Sequence, residues 1–235
     1  MKNLVLPMEN RSGPKAIGII LDGNRRWAKE RGFPSLEGHR KGFDKIQDVF
    51  DWCREVEVAE VTLYAFSTEN WNRSSEEVSY LMDLFEKMID KLGKGSKKQG
   101  TKIRFIGDKT RFSKKLQTGM KRLETETDAC KNGTLIIALS YGGRLEILQA
   151  VETLLKKGDA TINEVELKEA MWSKGLLDPD LIIRTGGEKR LSNFLTWQSV
   201  YSELFFTNTM WPDFSKGEFL KIIAEYSERE RRHGK

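Results

Sequence analysis

The sequence predicts an α/β fold: a single domain with a central, mainly parallel six-stranded sheet covered by helices on both faces. Along the 235 residues, short apolar runs alternate with longer amphipathic stretches, as in parallel sheets whose strands are joined by helices. The apolar runs are continuous, which is typical of strands buried on both faces. The sequence shows no repeat, linker or low-complexity tract. We therefore expect one domain over 16–235, after a flexible N-terminal arm over 1–15.

Six apolar runs are the predicted strands of this sheet. They are short and bounded by polar segments, as expected for buried strands. In chain order they cover 16–21, 61–66, 102–107, 134–139, 180–187 and 203–208, and the fifth ends in a loop.

Apolar residues at helical spacing predict the helices between these strands. The segment 42–56 carries one apolar stripe, formed by Phe43, Ile46, Val49, Phe50 and Cys53. Ser74 or Ser75 caps the next helix, whose broad apolar face extends to Leu92 before a basic turn over 93–100 breaks it. Further helices are predicted over 111–130, 143–157, 164–175 and 215–232.

Composition limits the classes of function. With 38% hydrophobic and 32% charged residues, the chain has the composition of a soluble globular protein. Its net charge of +5 favours an anionic partner, which is a phosphorylated metabolite, nucleic acid or an acidic membrane surface. Cys53 and Cys130 lack CxxC spacing and His39 and His233 are the only histidines, so a zinc site is not expected. Free thiols and no signal-like or membrane-spanning segment predict a cytoplasmic protein, with peripheral contact with a membrane left open.

Polar residues follow four of the predicted strands. These loops are 22–27 (DGNRRW), 67–73 (STENWNR), 140–144 (SYGGR) and 184–193 (RTGGEKRLSN). In a parallel sheet all four lie at the edge where ligands bind. Glycines let backbone N–H groups approach oxygens, and arginines hold phosphates in a fork. The set predicts a pocket for more than one phosphate group, although surface loops are often polar and glycine-rich without binding anything.

The first loop is the most informative segment of the chain. Asp22 beside Arg25 and Arg26 suits an anionic substrate bridged by Mg²⁺, because the acid holds the metal and the arginines hold phosphate oxygens. The alternative is an Asx-type turn with solvated arginines. His39 lies close to this loop in sequence. A lone histidine is more often structural than catalytic, but the position of His39 near this loop favours a functional role.

The helix after Arg73 offers an apolar surface beside these loops. Leu81, Leu84 and Phe85 lie on its apolar face and are candidates for lining a tunnel that takes a hydrocarbon tail. Core packing is the alternative for the same residues. Trp71 is flanked by polar residues, so we interpret it as a lid or interface residue.

From about residue 16 to residue 234, the chain resembles a cis-prenyltransferase of the undecaprenyl diphosphate synthase type. The motifs that carry the resemblance are LDGNRRWA, GH-x-x-G, LYAFSTENWNR, SYGGR, IIRTGGEKRLSNFL, WPDF at 211–214 and the final RHG. The resemblance implies condensation of isopentenyl diphosphate with an allylic diphosphate to form cis double bonds, with Mg²⁺ as cofactor. It also implies a homodimer, since Arg232, His233 and Gly234 match an R-x-G motif that reaches the neighbouring active site.

The resemblance also implies roles for individual residues. Asp22 holds Mg²⁺ and helps the allylic diphosphate leave, Glu203 matches a second acid associated with Mg²⁺, and Asn70 is the position assigned to proton removal. Arg184, Arg190 and Ser192 bind isopentenyl diphosphate. The remaining substrate-binding residues are Gly23, Asn24, Arg25, Arg26, Trp27, His39, Ser67, Thr68, Glu69, Trp71 and Arg73. The tunnel residues are Ala65, Leu81, Leu84 and Phe85.

The chain departs from the family pattern at a few positions. Ser35 stands where many members have an arginine that touches the allylic diphosphate, and Arg31, Arg40 or Lys29 are candidates to compensate for it. Arg25, Ser74 and Lys189 replace a common glycine, proline and histidine. The small Ala65 leaves the tunnel roomy, and bulky Tyr80 stands where small residues are common. Product length therefore stays open, and a precursor of a glycosyl-carrier lipid is the default expectation.

Three competing interpretations remain. A non-catalytic partner subunit is disfavoured because Asp22, Asn24, Arg26 and Asn70 are all present. A nucleic-acid-binding protein should carry its charge in a long stripe with aromatic interleaving, whereas these arginines gather in strand-end loops, so no nucleic acid is expected. Irregular coupling of two dimethylallyl units is motivated only by Ser35.

Overall fold

A computed structural model describes residues 13–158 and 161–229. It contains one six-stranded sheet in which every strand pair is parallel, which confirms the predicted α/β class. The strands are β1 (Ala16–Ile20), β2 (Glu60–Ser67), β3 (Lys102–Ile106), β4 (Thr134–Tyr141), β5 (Leu181–Arg184) and β6 (Glu203–Phe206). The predicted N-terminal arm lies, except for 13–15, outside the described residues, as do Arg232, His233 and Gly234.

The strand order is β3-β4-β2-β1-β5-β6. Strand β1 therefore lies in the interior of the sheet, with β2 on one side and β5 on the other. The chain leaves β1 towards β2 and later returns to its other side at β5. Such a reversal opens a crevice at the carboxyl ends of the strands, which is where ligands bind in open α/β sheets.

In the described part of the chain, seven α-helices join and flank the strands. Their bounds are α1 (Asn24–Glu30), α2 (Ser35–Glu55), α3 (Ser75–Gln99), α4 (Lys114–Thr127), α5 (Gly143–Lys157), α6 (Glu164–Ala170) and α7 (Lys216–Glu228). One face of the sheet packs against α2, α3, α4 and α7 in a large apolar core. The other face packs against the segment around Phe194 and Leu195, while α5 and α6 pack together in a smaller cluster.

Four helix predictions are corrected by the structure, one of them being the helix over 164–175, where α6 ends at Ala170. The segment after β1 is not only a turn, since Asn24 begins helix α1. Helix α2 begins at Ser35, directly after Pro34, and not at 42. Helix α3 is not broken by a basic turn over 93–100 but continues to Gln99. Two glycines in a helix cost about 1 kcal/mol each, and burial of Leu92 and Ser96 on the same helix offsets that cost.

None of the helices described here is both long and apolar enough to cross a lipid bilayer.

Candidate active site

Two connected hollows lie at the carboxyl ends of the strands. The first, here called the inner cavity, has a volume of about 590 Å³. The second, here called the outer recess, has a volume of about 420 Å³. They share Leu21, Asp22, Asn24, His39 and Arg73. The predicted site residues that line one or both are Asp22, Gly23, Asn24, Arg25, Arg26, His39, Ala65, Ser67, Glu69, Asn70, Arg73, Leu81, Leu84, Phe85, Arg184, Arg190 and Ser192.

Asp22 stands where the two hollows meet. It follows β1 at its carboxyl end, and its side chain is 28% exposed. Its Oδ2 accepts a hydrogen bond of 2.7 Å from Nη2 of Arg184, and its Oδ1 accepts one of 3.2 Å from Nη2 of Arg26. Two cations on opposite sides therefore hold the carboxylate between the recess and the cavity.

Two glycines allow the backbone to approach this point. Gly186 has a φ of +82°, and a Cβ there would lie 2.9 Å from Nη2 of Arg26 and 3.0 Å from the carbonyl carbon of Asp22. A Cβ at Gly38 on α2 would lie 2.0 Å from the carbonyl oxygen of Asn24. Side chains at either position would push the first loop away from its neighbours.

Arg184 organises the loop that follows β5. It is 4% exposed, and its Nη1 donates to the carbonyl oxygen of Arg190 and, over 2.8 Å, to Oγ of Ser192. Its Nε is buried and has no hydrogen-bond partner among the described residues. A buried guanidinium donor without an acceptor is costly, and a ligand oxygen that reached this N–H would remove that cost.

Glu77, on the first turn of α3, interacts with three neighbouring side chains. Its Oε1 accepts hydrogen bonds of 3.0 Å from Nε2 of His39 and 2.9 Å from Nη1 of Arg73. Its Oε2 lies 3.7 Å from Nη1 of Arg25. The acid is 8% exposed and thus orients two arginines and a histidine around the recess.

The charge states of this cluster follow from its packing. Burial lowers the pKa of His39 below its ordinary 6.5, and the charges of Arg73 and Arg25 add to that effect against the hydrogen bond with Glu77. Burial alone would raise the pKa of Glu77, but the hydrogen bond from His39 and the two arginine charges outweigh it and lower the pKa. Glu77 is therefore ionised, and a neutral His39 donates to it through Nε2.

This charge state predicts a pH dependence of stability. Below the ordinary pKa of 6.5, His39 binds a proton in the unfolded chain but stays neutral in the folded chain. The free energy of unfolding therefore falls as pH drops. Urea denaturation at about pH 7.5 and about pH 5.5 should show this slope, and His39→Gln should flatten it. Asp90→Asn, at an exposed carboxyl on α3, should keep it. An equal slope in wild type and His39→Gln would contradict the assignment.

A 3₁₀ helix over Thr68–Asn72 presents Asn70 to the inner cavity. Oδ1 of Asn70 accepts a hydrogen bond of 3.1 Å from the backbone N–H of Ser67, and the side chain of Ser67 in turn accepts from the backbone N–H of Asn70. This reciprocal cap orients the amide of Asn70 at the wall of the inner cavity.

The far end of the inner cavity is apolar. Leu81, Leu84 and Phe85 from α3 face Phe43 and Ile46 from α2. Beyond them a void of only about 10 Å³ continues between the two helices, lined by Phe43, Ile46, Gln47, Met88, Lys91 and Leu92. The three predicted tunnel residues of α3 thus serve as both core and cavity wall, and Ala65 lines the same space.

Three residues predicted to bind substrate line neither hollow. Trp27 is buried and donates from Nε1 to Oδ1 of Asp213 over 2.7 Å. Trp71 donates from Nε1 to Oγ of Ser140 over 2.9 Å and its ring packs on Phe66, and its role as a lid or interface residue stays a prediction. Thr68 begins the 3₁₀ helix and faces Gly142. These side chains support the loops that carry the site.

The structure does not bring Glu203 to Asp22 within one chain. Glu203 begins β6 and pairs in register with Leu181, whereas Arg184, the neighbour of Asp22, pairs with Phe206. Its carboxylate pairs with Arg229 over 2.6 Å. Among residues 13–158 and 161–229, no group of three or more histidine, cysteine or acidic side chains could enclose a metal.

Sequence reasoning missed two residues of the site. The sequence places Glu77 in the first turn of the helix that Ser74 or Ser75 caps, and nothing there assigned it to the site. Its spacing to Leu81 places it on the buried face of α3, where an acid needs partners, and this was the available signal. Asn193, which lines the inner cavity, has a φ of +66° and carries no pattern that singles it out.

A larger crevice of about 930 Å³ lies elsewhere, beside edge strand β3. Two of its cations are paired within the protein, Lys102 with Asp128 and Lys109 with Glu124. It lacks the converging arginines of the strand-end hollows, so we place the active site at those hollows.

Comparisons with known proteins agree with this geometry. A family model described as putative undecaprenyl diphosphate synthase matches residues 20–234. An isoprenyl transferase of Thermotoga maritima is 44% identical over 225 residues, which cover 94% of this chain and 97% of that protein. One of Fusobacterium nucleatum is 46% identical over 223 residues, covering 94% of this chain and 96% of that protein.

Solved structures show the same fold. Lavandulyl diphosphate synthase from Lavandula x intermedia, in complex with dimethylallyl diphosphate, aligns with a TM-score of 0.88 and 32% identity over 95% of this chain and 99% of that one. A probable undecaprenyl diphosphate synthase from Campylobacter jejuni aligns with a TM-score of 0.81 and 33% identity over 94% and 99%. The chain therefore belongs to the undecaprenyl diphosphate synthase family and is a prenyl-transferring enzyme.

Proposed function

We propose that this enzyme is a Mg²⁺-dependent cis-prenyltransferase. It condenses isopentenyl diphosphate with an allylic diphosphate, such as farnesyl or geranylgeranyl diphosphate, and releases a longer Z-polyprenyl diphosphate. The observation that carries the proposal is the inner cavity, which has arginines at its strand end and apolar side chains between α2 and α3. A molecule with a diphosphate head and a hydrocarbon tail matches both ends.

Two groups of cations suit two diphosphates. Arg25, Arg26 and Lys29 line the outer recess, which we assign to the allylic diphosphate. Arg184 and Arg190 line the inner cavity, which we assign to isopentenyl diphosphate together with Ser192. Fork-shaped guanidinium groups hold phosphate oxygens in two directions and neutralise their charge. Arg73 lines both hollows and lies between the two assigned sites.

Asp22 fits a Mg²⁺ that arrives with the substrate. It is the one carboxylate among the described residues of the outer recess, and Mg²⁺ is commonly held by one or two carboxylates plus substrate phosphates. When bound, the ion supplies charge neutralisation to the departing diphosphate. We do not extend this site to Glu203, because the single chain keeps that side chain with Arg229.

The chain's own residues suggest how the proton is handled. Asn70 faces the cavity from a capped 3₁₀ helix, and its neutral amide is a poor base by itself. Ser67 and a neutral His39 also line the cavity. We propose that Asn70 orients the condensing unit, and that the departing diphosphate or a relay through Ser67 and His39 accepts the proton.

Incorporation of labelled isopentenyl diphosphate tests the proposal. Geranyl, farnesyl and geranylgeranyl diphosphates are offered separately with Mg²⁺, and products are sized by mass. We expect a ladder of longer products with at least one primer, abolished by Asp22→Ala and by chelation of Mg²⁺. No incorporation with any primer, from enzyme shown to be folded by circular dichroism and dimeric by sedimentation, would overturn head-to-tail elongation.

Irregular coupling of short allylic diphosphates is the second candidate. Its support is the likeness to lavandulyl diphosphate synthase, whose structure holds dimethylallyl diphosphate, together with Ser35 in the outer recess. Self-coupled products from dimethylallyl diphosphate alone would favour it. Arg184, Arg190 and Ser192 in one cavity favour a second, non-allylic diphosphate instead.

The structure offers Lys29 in place of the arginine that Ser35 replaces. Lys29 lines the recess with Ser35, whereas Arg31 pairs with Asp213 and Arg40 pairs with Glu37. We expect Ser35→Arg to lower KM for the allylic substrate about tenfold, because a fork replaces a point charge. Lys29→Ala should raise the same KM, and Lys94→Ala on α3 should change nothing. An unchanged KM in Ser35→Arg would remove Ser35 from substrate selection.

The remaining parts of the proposal concern setting. We propose a homodimer that works in the cytoplasm, meets a membrane only peripherally, and supplies a precursor of a glycosyl-carrier lipid. Leu204 on edge strand β6 and Val200 shortly before it are exposed apolar side chains and suit contact with a second copy.

A further inference from the structure

Asn193, in the loop after β5, contacts two other strand-end loops at once. Its backbone oxygen accepts from the N–H of Gly143 over 2.7 Å, and its Oδ1 accepts from the N–H of Arg144 over 2.9 Å. Its Nδ2 donates to Oε1 of Glu69 over 3.1 Å. One side chain thus connects the loop after β5 with those after β4 and β2, and it does so at the wall of the inner cavity.

The backbone around Asn193 is held in an uncommon conformation. Ser192, Asn193 and Leu195 have φ values of +50°, +66° and +43°. Such residues cost free energy and persist where surrounding contacts over-determine them, often at functional sites. Here the contacts are present, since the ring of Phe194 stacks on Tyr64 at 4.6 Å and the hydroxyl of Tyr64 lies 3.3 Å from the carbonyl oxygen of Ser192.

The two sides of the Asn193 contact carry different parts of the proposed reaction. Glu69 precedes Asn70 on the 3₁₀ helix. Arg190 and Ser192 belong to the loop assigned to isopentenyl diphosphate. Burial alone would raise the pKa of Glu69, but hydrogen bonds donated by its own backbone N–H and by Asn193, Ser67 and Thr68 outweigh it and lower the pKa, so Asn193 donates to a carboxylate.

We propose that Asn193 is a positioning residue that holds the Glu69–Asn70 segment and the Arg190–Ser192 loop in register across the inner cavity. This rests on the function proposed above. Through its hydrogen bond to Glu69, the Asn193 side chain positions two groups at once. These are the loop that we assign to isopentenyl diphosphate and the Asn70 amide, which we place beside the reacting carbons of that substrate. The rate of a reaction between groups held by an enzyme is sensitive to displacements of about 1 Å. The register of these two segments therefore controls how isopentenyl diphosphate, the second substrate, is bound and positioned.

Asn193→Asp isolates the bond to Glu69. Aspartate tolerates the left-handed conformation and keeps an oxygen for the N–H of Arg144, but it places a carboxylate oxygen where Nδ2 now meets Glu69. We expect KM for isopentenyl diphosphate to rise about tenfold or more with KM for the allylic primer unchanged. Glu69→Gln should have a smaller effect, because the amide oxygen of the new side chain still accepts from Asn193.

The double variant Asn193→Asp with Glu69→Gln is the decisive measurement. It restores a donor and an acceptor in reversed order, so KM should return to within about twofold of Glu69→Gln alone. A purely structural loss in Asn193→Asp would not be repaired by a change at Glu69. Thr196→Ala, at an exposed residue that follows this loop, serves as a control for general damage to the segment.

Each outcome separates this inference from the proposed function. If wild type is active and Asn193→Asp has unchanged KM values, the positioning role is overturned and the proposed synthase function stands. An impaired Asn193→Asp without rescue by Glu69→Gln, or with both KM values raised together, would also overturn it. An inactive, folded wild type would instead reject the proposed function itself.

Discussion

Replacing Asp22 by asparagine should lower kcat for prenyl transfer by about 10²–10³-fold, the scale of losing one electrostatic stabiliser of a developing charge. The carboxylate stands between Arg26 and Arg184 at the junction of the recess and the cavity. Asparagine keeps the volume but loses the charge that would hold Mg²⁺ on the departing diphosphate. Single-turnover incorporation of labelled isopentenyl diphosphate measures the loss.

Binding of the allylic diphosphate should change much less than kcat in this variant. Removal of one negative charge leaves Arg25, Arg26 and Lys29 in place, so calorimetric affinity should be retained or improve. Asp44→Asn, at a half-exposed carboxyl of α2, is a matched control that should preserve both quantities. A variant Asp22→Asn with wild-type kcat would remove Asp22 from the chemical step.

Arg184→Lys should have the second large effect, acting on both binding and stability. Lysine cannot reproduce the fork that donates to Asp22 from one nitrogen and to Ser192 and the carbonyl oxygen of Arg190 from another. We expect KM for isopentenyl diphosphate to rise about 10²-fold, since two or more charge-assisted hydrogen bonds of about 1.5 kcal/mol each are weakened.

The same change should lower the free energy of unfolding by about 2 kcal/mol. Breaking a fully buried ion pair costs about 3–5 kcal/mol, and the partial exposure of Asp22, 28%, places this pair below that range. Urea denaturation measures the loss, and Arg122→Lys on α4, at a side chain 57% exposed, should show none. Wild-type stability with wild-type KM would show that Arg184 does not anchor this loop.

The two variants report on different sides of one carboxylate. Asp22→Asn should mainly change the rate after binding, whereas Arg184→Lys should mainly change the binding of the second substrate. This separation follows from the position of Asp22, because the outer recess lies on one side of it and the inner cavity on the other. Equal effects on kcat and both KM values in the two variants would indicate general collapse of the strand-end loops.

Hydrophobic periodicity and apolar runs in the sequence predict those features of the fold that depend on neighbouring residues along the chain. All six strands appear within a few residues of their predicted positions. The interior strands β1 and β5 are apolar almost throughout because they are buried on both faces, whereas the edge strands β3 and β6 are only partly buried and include charged residues. Helix α5 was predicted over the same residues that it occupies, 143–157. Helix α3 was predicted too short, since glycines at 93 and 95 weaken a helix locally while packing further along it maintains the helix.

Placement of the strand-end loops follows from the parallel sheet, and this much was available from the sequence. The prediction that Asp22, Asn70 and Arg184 meet at one edge needed only the rule that parallel strands end together. Which side chains then face the cavity depends on three-dimensional packing. Trp27 and Trp71 turn into the protein to reach Asp213 and Ser140.

By itself, the sequence determined the fold class and the family, and it predicted the edge of the sheet where the candidate site lies, because strand periodicity and contiguous motifs are local properties. Only the tertiary structure decided that Glu77 pairs with His39, Arg25 and Arg73, and that Asn193 connects three strand-end loops. Those contacts pair residues separated by 38 positions, as His39 and Glu77 are, or by 124, as Glu69 and Asn193 are. Their energies depend on burial and exact distance, which the chain acquires only when the sheet and its helices have assembled.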